Sequence, residues 1–131
     1  MRESIRRALV MALGAATAVV MAVGPAQAKA EATRYNCPDG AVCLYGEGVF
    51  LSSSSKPTHI WYSYGAHNLS GQYNKHWLYN NQYGWNANAM VCTGYNGTGD
   101  CEDVLWPQEG IWRDFTPINS VVLYLYYPGG G

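Results

Sequence analysis

Short apolar and aromatic runs, each stopped by glycine, proline, asparagine or serine, fill the chain from residue 37 onward. Runs of about four to eight residues rich in aromatic and β-branched side chains are typical of β-strands. No stretch keeps a helical period over about ten residues, so the pattern predicts an all-β antiparallel sandwich or barrel. The predicted strands lie around residues 44–45 and within residues 59–64, 75–79, 89–92, 104–106, 111–115 and 120–127.

One short sequence recurs in the second half of the chain. Val42-Cys43-Leu44-Tyr45 is echoed 49 residues later by Val91-Cys92-Thr93-Gly94-Tyr95. Each copy lies next to a second cysteine, Cys37 in the first half and Cys101 in the second. The echo predicts that the domain consists of two related β units.

The first 28 residues have the organisation of a secretory signal peptide. Arg2, Arg6 and Arg7 precede an apolar run, residues 8–24, and the small-residue sequence Ala-Gln-Ala follows at residues 26–28. The alternative, a transmembrane anchor, needs about 20 apolar residues and no cleavage site. We therefore expect a signal peptide at residues 1–28, and a secreted, extracellular domain at residues 29–131 that leaves the membrane after cleavage.

The composition of residues 29–131 narrows the class of protein further. This part carries five basic and eight acidic side chains, a net charge of −3, so it lacks the basic stripe that a nucleic-acid partner requires. It also holds all eleven tyrosines, all five tryptophans and all four cysteines. Such a composition is typical of a small secreted β domain stabilised by aromatic packing and disulfides.

The four cysteines allow three disulfide connectivities. We favour Cys37–Cys43 and Cys92–Cys101, because glycine and proline in each intervening segment allow local closure. Loop-closure entropy alone favours a crossed Cys43–Cys92 pair, at roughly 4 kcal/mol against about 2.4 and 2.7 kcal/mol for the local bridges. A zinc site is the other alternative, but the spacing lacks CxxC pairs and an exported protein meets oxidising conditions.

Catalytic motifs are not recognisable in the sequence. His59, His67 and His76 have neither HxxxH nor HExxH spacing, and no Gly-x-Ser-x-Gly motif occurs. The acidic residues near the second cysteine pair suggest paired carboxylates for glycoside chemistry, but a solvated turn explains them better. These residues are Asp100, Glu102 and Asp103. We expect a binding protein without catalytic residues and without a cofactor.

The motif at residues 37–50, CPDGAVCLYGEGVF, resembles the N-terminal motif of the Streptomyces metalloproteinase inhibitor family. These are secreted, crystallin-fold peptidase inhibitors of actinobacteria with an early and a central local disulfide bond. Residues 116–122, TPINSVV, resemble the segment that closes the family's repeat, and the resemblance covers most of residues 37–124. It implies two Greek-key units forming a βγ-crystallin-like sandwich, in agreement with the internal echo.

The resemblance also implies a site and a partner. The family's reactive bond lies at the second disulfide, which places it here at Cys92–Thr93, within a reactive loop of Cys92, Thr93, Gly94 and Tyr95. Thermolysin-like metalloproteinases favour an apolar side chain just after the scissile bond, and Thr93 is polar, so Tyr95 is an alternative anchor. The implied partner is an extracellular proteinase bound by a monomer, and the glycine content predicts a flexible loop.

A calcium site is not expected. Calcium-binding crystallin domains carry paired Asn or Asp residues where this chain has Phe115 and Thr116, and Asn74 in the first unit is followed by Lys75. Calcium needs several oxygen ligands, so we predict no tight metal site.

Two other functions suit the same fold, since fold alone does not fix function. A cell-wall or glycan-binding module would use exposed aromatic rings as stacking platforms, although core packing is expected for at least two of the tryptophans. A small secreted toxin is the second alternative. The candidate platforms are Trp61, Trp77, Trp85 and Trp112.

Overall fold

The computed structural model of the protein describes residues 33–129. The predicted signal peptide, residues 1–28, lies outside this range. Within the range the chain forms eight strands and a single 3-10 turn, Tyr95–Gly97. The strands are β1 (Val42–Tyr45), β2 (Pro57–Trp61), β3 (Gly65–Asn68), β4 (Lys75–Asn80), β5 (Ala87–Cys92), β6 (Cys101–Leu105), β7 (Gly110–Asp114) and β8 (Ser120–Leu125).

The strands form two four-stranded antiparallel sheets that exchange one strand each. The first sheet has the order β2-β1-β4-β7 and the second has the order β3-β8-β5-β6. Strands β1, β2 and β4 of the first unit lie together, whereas β3 joins the sheet of the second unit, and β7 makes the reverse exchange. Each unit has the Greek-key order with its third strand in the other sheet. The predicted fold class, an all-β sandwich of two Greek-key units of βγ-crystallin type, is therefore confirmed.

Two equivalent hydrogen bonds fix the true repeat length. Asn74, just before β4, accepts a hydrogen bond at its carbonyl oxygen from Phe115 N at 2.8 Å. Asn119, just before β8, accepts one in the same way from Leu69 N at 2.9 Å. Asn74 and Asn119 are 45 residues apart, four fewer than the spacing of the sequence echo. The predicted two-unit organisation is correct, but Cys43 is equivalent to Asn88 and not to Cys92, because the echo aligned β1 with the end of β5.

Alternating apolar positions of both sheets fill the main core. Val42 and Leu44 on β1 face Leu78 on β4, while Val121 and Leu123 on β8 complete the second layer. Because neighbouring residues of a strand point to opposite faces, these positions share the inner face. Full burial of each such side chain contributes about 1.5–3 kcal/mol. The remaining buried members are Leu69, Ala89, Val91, Leu105, Phe115 and Ile118.

The outer face of the first sheet is also buried at β1. Cys43 and Tyr45 point away from the core, and Cys37 covers them through the Cys37–Cys43 disulfide. The Tyr45 hydroxyl donates to Tyr35 O at 2.9 Å. Burial, with smaller contributions from Tyr79 and Tyr35, raises the pKa of Tyr45. The N-terminal motif thus packs a second small core beneath one disulfide.

The predicted strand over residues 59–64 is replaced by two strands and a turn. β2 ends at Trp61 and β3 begins at Gly65, so the exposed rings of Tyr62 and Tyr64 lie in the connection. The sequence did not indicate β3, because its four residues have no apolar alternation. It is a strand because it pairs with β8.

The antiparallel order gathers the loops at two opposite ends of the sandwich. We call the end that carries the connections 62–64, 81–86, 106–109 and 126–129 the aromatic end, because most exposed large aromatic side chains lie there. The opposite end carries the connection 93–100, which the second disulfide brackets, and we call it the bridge end.

Candidate functional site: the loop between Cys92 and Cys101

The predicted reactive loop connects β5 to β6 at the bridge end. Cys92 and Cys101 form a disulfide with their Cα atoms 4.0 Å apart, and Cys37 pairs with Cys43. Both predicted local bridges are therefore confirmed, and the crossed pairing and the zinc alternative are wrong for these four cysteines. The bridge joins the two stems of the loop directly where β5 ends and β6 begins.

Hydrogen bonds continue the pairing of the two stems beyond the bridge. Thr93 N donates to Asp100 O at 3.0 Å, and Asp100 N donates to Thr93 Oγ1 at 2.9 Å. One step further, Gly94 N donates to Thr98 O at 2.8 Å. Only the 3-10 turn remains at the tip, so the loop has a defined internal structure.

Side chains at the start of β8 form hydrogen bonds with the backbone of the loop. Ser120 Oγ donates to Gly94 O at 2.7 Å and accepts from Gly97 N at 3.0 Å. Asn119 Nδ2 donates to Thr93 O at 2.7 Å. Ser120 begins β8 and Asn119 directly precedes it, so the strand that fills the core also fixes the loop.

The opposite side of the tip is fixed by a reciprocal amide contact. Asn96 N donates to Asn68 Oδ1 at 2.7 Å, and Asn68 Nδ2 donates to Asn96 Oδ1 at 3.0 Å. Asn68 ends β3, the strand that the first unit contributes to this sheet. Both units therefore contribute to the position of the loop.

The glycines of this loop allow its stems to pack closely. The glycine content of the sequence had predicted a flexible loop instead. Gly99 has φ +77°, and a Cβ atom there would lie 2.5 Å from Thr93 Oγ1 and 2.8 Å from Gly94 N. A side chain at residue 99 is incompatible with the packed stems. The sequence pattern did not reveal this, because a glycine required by close contact and a glycine in an open linker look the same.

The four predicted reactive-loop residues occupy different environments. Cys92 is fully buried and its carbonyl oxygen accepts from Asn119 N at 2.9 Å. Thr93 and Gly94 are half-buried, whereas the Tyr95 side chain is 54% exposed. Access to the Cys92–Thr93 peptide bond requires the loop to leave β8, but Tyr95 is presented at the tip without any rearrangement.

An ion-pair cluster lies beside the loop on β6. Arg113 Nη1 donates to Glu102 Oε1 at 2.9 Å and also to Asp103 Oδ2. Burial alone would lower the pKa of Arg113, but the hydrogen bonds that its guanidinium donates to these carboxylates raise it. Since Arg113 lies on β7 of the other sheet, the cluster joins the two sheets at one edge. Two of the three acidic residues considered for glycoside chemistry thus form ion pairs with Arg113.

The histidines and the calcium-equivalent positions have structural contacts. His76 is buried, with Nδ1 2.7 Å from Tyr45 O and Nε2 2.8 Å from Tyr73 O. Phe115 is fully buried, and Thr116 Oγ1 accepts from Asn74 N at 2.9 Å. Among residues 33–129 there is no group of three or more His, Cys, Asp or Glu side chains placed to hold a metal ion.

The candidate tryptophan platforms divide into one exposed and three partly buried residues. Trp85 is 64% exposed at the aromatic end. Trp61 packs on the core, and Trp77 and Trp112 lie 5.9 Å apart on the first sheet. The structure adds exposed tyrosines that the sequence analysis did not select, because they come from separate connections that only the fold brings together.

Comparison of the chain with protein-family models, with curated proteins and with solved structures found no match. In the part of the chain that the structure describes, no helix is long and apolar enough to cross a membrane.

Proposed function

We propose that the protein is a secreted peptidase inhibitor that binds an extracellular, thermolysin-like metalloproteinase through the loop Cys92–Cys101. The observation that carries this proposal is that the loop is exposed at its tip and fixed at its stems by a disulfide, Ser120 and Asn119. A loop that is ordered before binding loses little conformational entropy when it enters a cleft.

Tyr95 is the proposed anchor of the reactive loop. Its exposed side chain has a large apolar ring and few rotatable bonds. Tyrosine is one of the residue types most often found at interface hot spots. Thr93 and Gly94 precede Tyr95 in the stem, where Asn119 and Ser120 hold their carbonyl groups, and Cys92 closes the base of the loop. We infer that the loop blocks the cleft as a rigid insert, since the Cys92–Thr93 peptide bond is covered in the folded domain.

Secretion is part of the proposal and has separate support. The N-terminal sequence has the features of an export signal, and two disulfides with no free cysteine among the described residues suit an oxidising compartment. The negative charge of residues 29–131 argues for a protein partner over nucleic acid. We propose that the domain acts as a monomer.

Titration of purified proteinases with the secreted protein tests the function. We expect inhibition of a thermolysin-like enzyme at micromolar inhibitor or below, measured from the initial rate of peptide hydrolysis. Tyr95→Ala should weaken it by about tenfold or more, because hot-spot truncations cost over 1 kcal/mol. Tyr127→Ala is the matched control, since Tyr127 is 62% exposed, similar to Tyr95, and lies at the aromatic end.

A second variant tests the role of rigidity. Cys92→Ser combined with Cys101→Ser should turn the protein into a substrate that is cut between residues 92 and 101, as detected by mass spectrometry. The proposal fails if the wild-type protein inhibits neither metalloproteinases nor serine proteinases at micromolar concentration. It also fails if Tyr95→Ala and Tyr127→Ala inhibit equally well.

A further inference from the structure

A cleft of about 350 Å³ lies at the aromatic end, on the side of the molecule opposite the proposed inhibitory loop. Its walls come from three connections that are distant in sequence: the turn before β1, the β2–β3 connection and the β4–β5 connection. The volume lies within the range of small-ligand sites, roughly 300–1,000 Å³. Its lining residues are Asp39, Gly40, Tyr62, Tyr64, Gln82, Tyr83 and Ala87.

Three tyrosine rings dominate the cleft. Tyr62, Tyr64 and Tyr83 are each more than half exposed, and Tyr83 is 69% exposed. Exposed rings in a single cleft offer flat apolar faces together with hydroxyl groups that bond to water or to a ligand. Trp85 adds a further exposed ring two residues after Tyr83, in the same connection.

The Tyr83 ring has a defined position. Gly40 has φ +88°, and a Cβ atom there would lie 3.1 Å from Tyr83 Cε1, so the ring rests directly against the backbone of the turn. Gly40 N donates to Asn81 O at 2.8 Å, which joins the turn to the connection that carries the ring. The site therefore includes one preorganised aromatic face, which lowers the entropic cost of stacking.

Polar groups at the floor of the cleft are also fixed. Gln82 is buried, and its Nε2 donates to Asn80 Oδ1 at 3.0 Å and to Ala87 O at 3.1 Å. Asp39 contributes a half-buried carboxylate, an acceptor for hydroxyl or amide hydrogens. Aromatic faces next to a few fixed polar groups suit a ligand that has both apolar faces and many hydroxyls.

A pyranose sugar has this combination, because its axial C–H groups form an apolar face and its equatorial hydroxyls form a polar rim. The charge of the site disfavours other stacking ligands. No Lys or Arg lines the cleft, whereas single-stranded nucleic acids need basic groups for their phosphates as well as aromatic platforms. Asp39 also disfavours anionic saccharides by repulsion.

We propose that this cleft binds an uncharged, equatorially linked pyranose glycan by stacking on Tyr83 and Tyr62, with Asp39 accepting hydrogen bonds from the ring hydroxyls. The site is independent of the inhibitory loop. A protein that uses both ends holds a polysaccharide at the aromatic end and presents the loop to enzymes at the bridge end.

The test uses the full chain secreted from an exporting bacterial host, with soluble chitin and cellulose oligosaccharides as probes. Isothermal titration should detect binding of at least one of them, with a stoichiometry near one. Tyr83→Ala and Tyr62→Ala should each weaken binding by about tenfold, as expected for aromatic residues that a bound ligand covers. Tyr73→Ala is the matched control, an exposed tyrosine at the bridge end, and should bind like the wild type.

Three outcomes overturn the proposal. The first is the absence of heat and of retention on insoluble chitin and cellulose for a protein whose circular dichroism shows a folded domain. The second is binding that Tyr83→Ala and Tyr62→Ala leave unchanged. The third is competition by single-stranded oligonucleotides at the same site. Proteinase inhibition measured on these variants stays at the wild-type level whichever result is obtained, so failure of the two proposals is distinguishable.

Discussion

Replacement of Ser120 by alanine tests whether β8 holds the loop. Ser120 is fully buried, and its hydroxyl both donates to Gly94 O and accepts from Gly97 N. The Ser120→Ala variant leaves one acceptor and one donor without their partner. A buried polar group that loses its partner costs about 1–3 kcal/mol, and both glycines are half-buried, so water compensates in part. We expect a total loss of about 2 kcal/mol.

Thermal unfolding measures this loss. For a domain of about 100 residues, 1 kcal/mol corresponds to roughly 4–8 °C, so Tm should fall by about 8–16 °C. Amide hydrogen exchange supplies the local readout, and the Gly97 amide should show the largest increase in rate. Ser70→Ala is the control, since Ser70 is exposed in the connection between β3 and β4. A Tm within about 2 °C of wild type, with unchanged exchange at Gly97, refutes the reasoning.

Three further predictions concern metal, pH and the inter-sheet ion pairs. Millimolar Ca²⁺ should leave Tm unchanged. A bound ligand at 100 times its Kd would add about 2.7 kcal/mol to the free energy of unfolding and raise Tm by several degrees. Such a rise contradicts our interpretation of Phe115 and Thr116. The pKa of Tyr45 in the folded protein lies above its unfolded value of about 10. The neutral hydroxyl therefore contributes fully to the free energy of unfolding below pH 10, and this contribution is lost as pH rises through the folded-state pKa. Tyr45→Phe should flatten the fall of Tm above pH 10, and an unchanged slope counts against it. Arg113→Gln should cost about 1 kcal/mol in urea unfolding at low salt and less at high salt, and a salt-independent cost contradicts the ion-pair explanation.

The sequence predicted the features that depend on local chemistry. Pro38, Asp39 and Gly40 favour a turn, and that turn brings Cys37 close to Cys43. The last strand was predicted because it is the most apolar stretch, and it occupies the centre of its sheet. The fold class followed from the absence of helical periodicity.

Features that depend on partners distant in sequence were not predicted. The residues of β3, GAHN, form a strand only because β8 supplies their hydrogen-bond partners. The predicted repeat length was four residues too long, because the short sequence echo around the cysteines contains no information on strand register. The disulfide that brackets the loop was predicted, but the rigidity of the loop depends on Ser120 and Asn68. These residues lie 26 and 28 positions away from their partners Gly94 and Asn96.

The exchange of β3 and β7 means that neither half of the domain is complete alone. A fragment that ends in the connection 81–86 lacks the edge strand of its own sheet and carries a β3 without a sheet to join. Cleavage of the backbone in this connection therefore leaves two pieces that remain associated, and separately expressed halves should reconstitute the fold when mixed. At high concentration the same connection can act as the hinge for domain swapping, in which two molecules exchange their second halves. The resulting dimer retains every strand pair of the monomer.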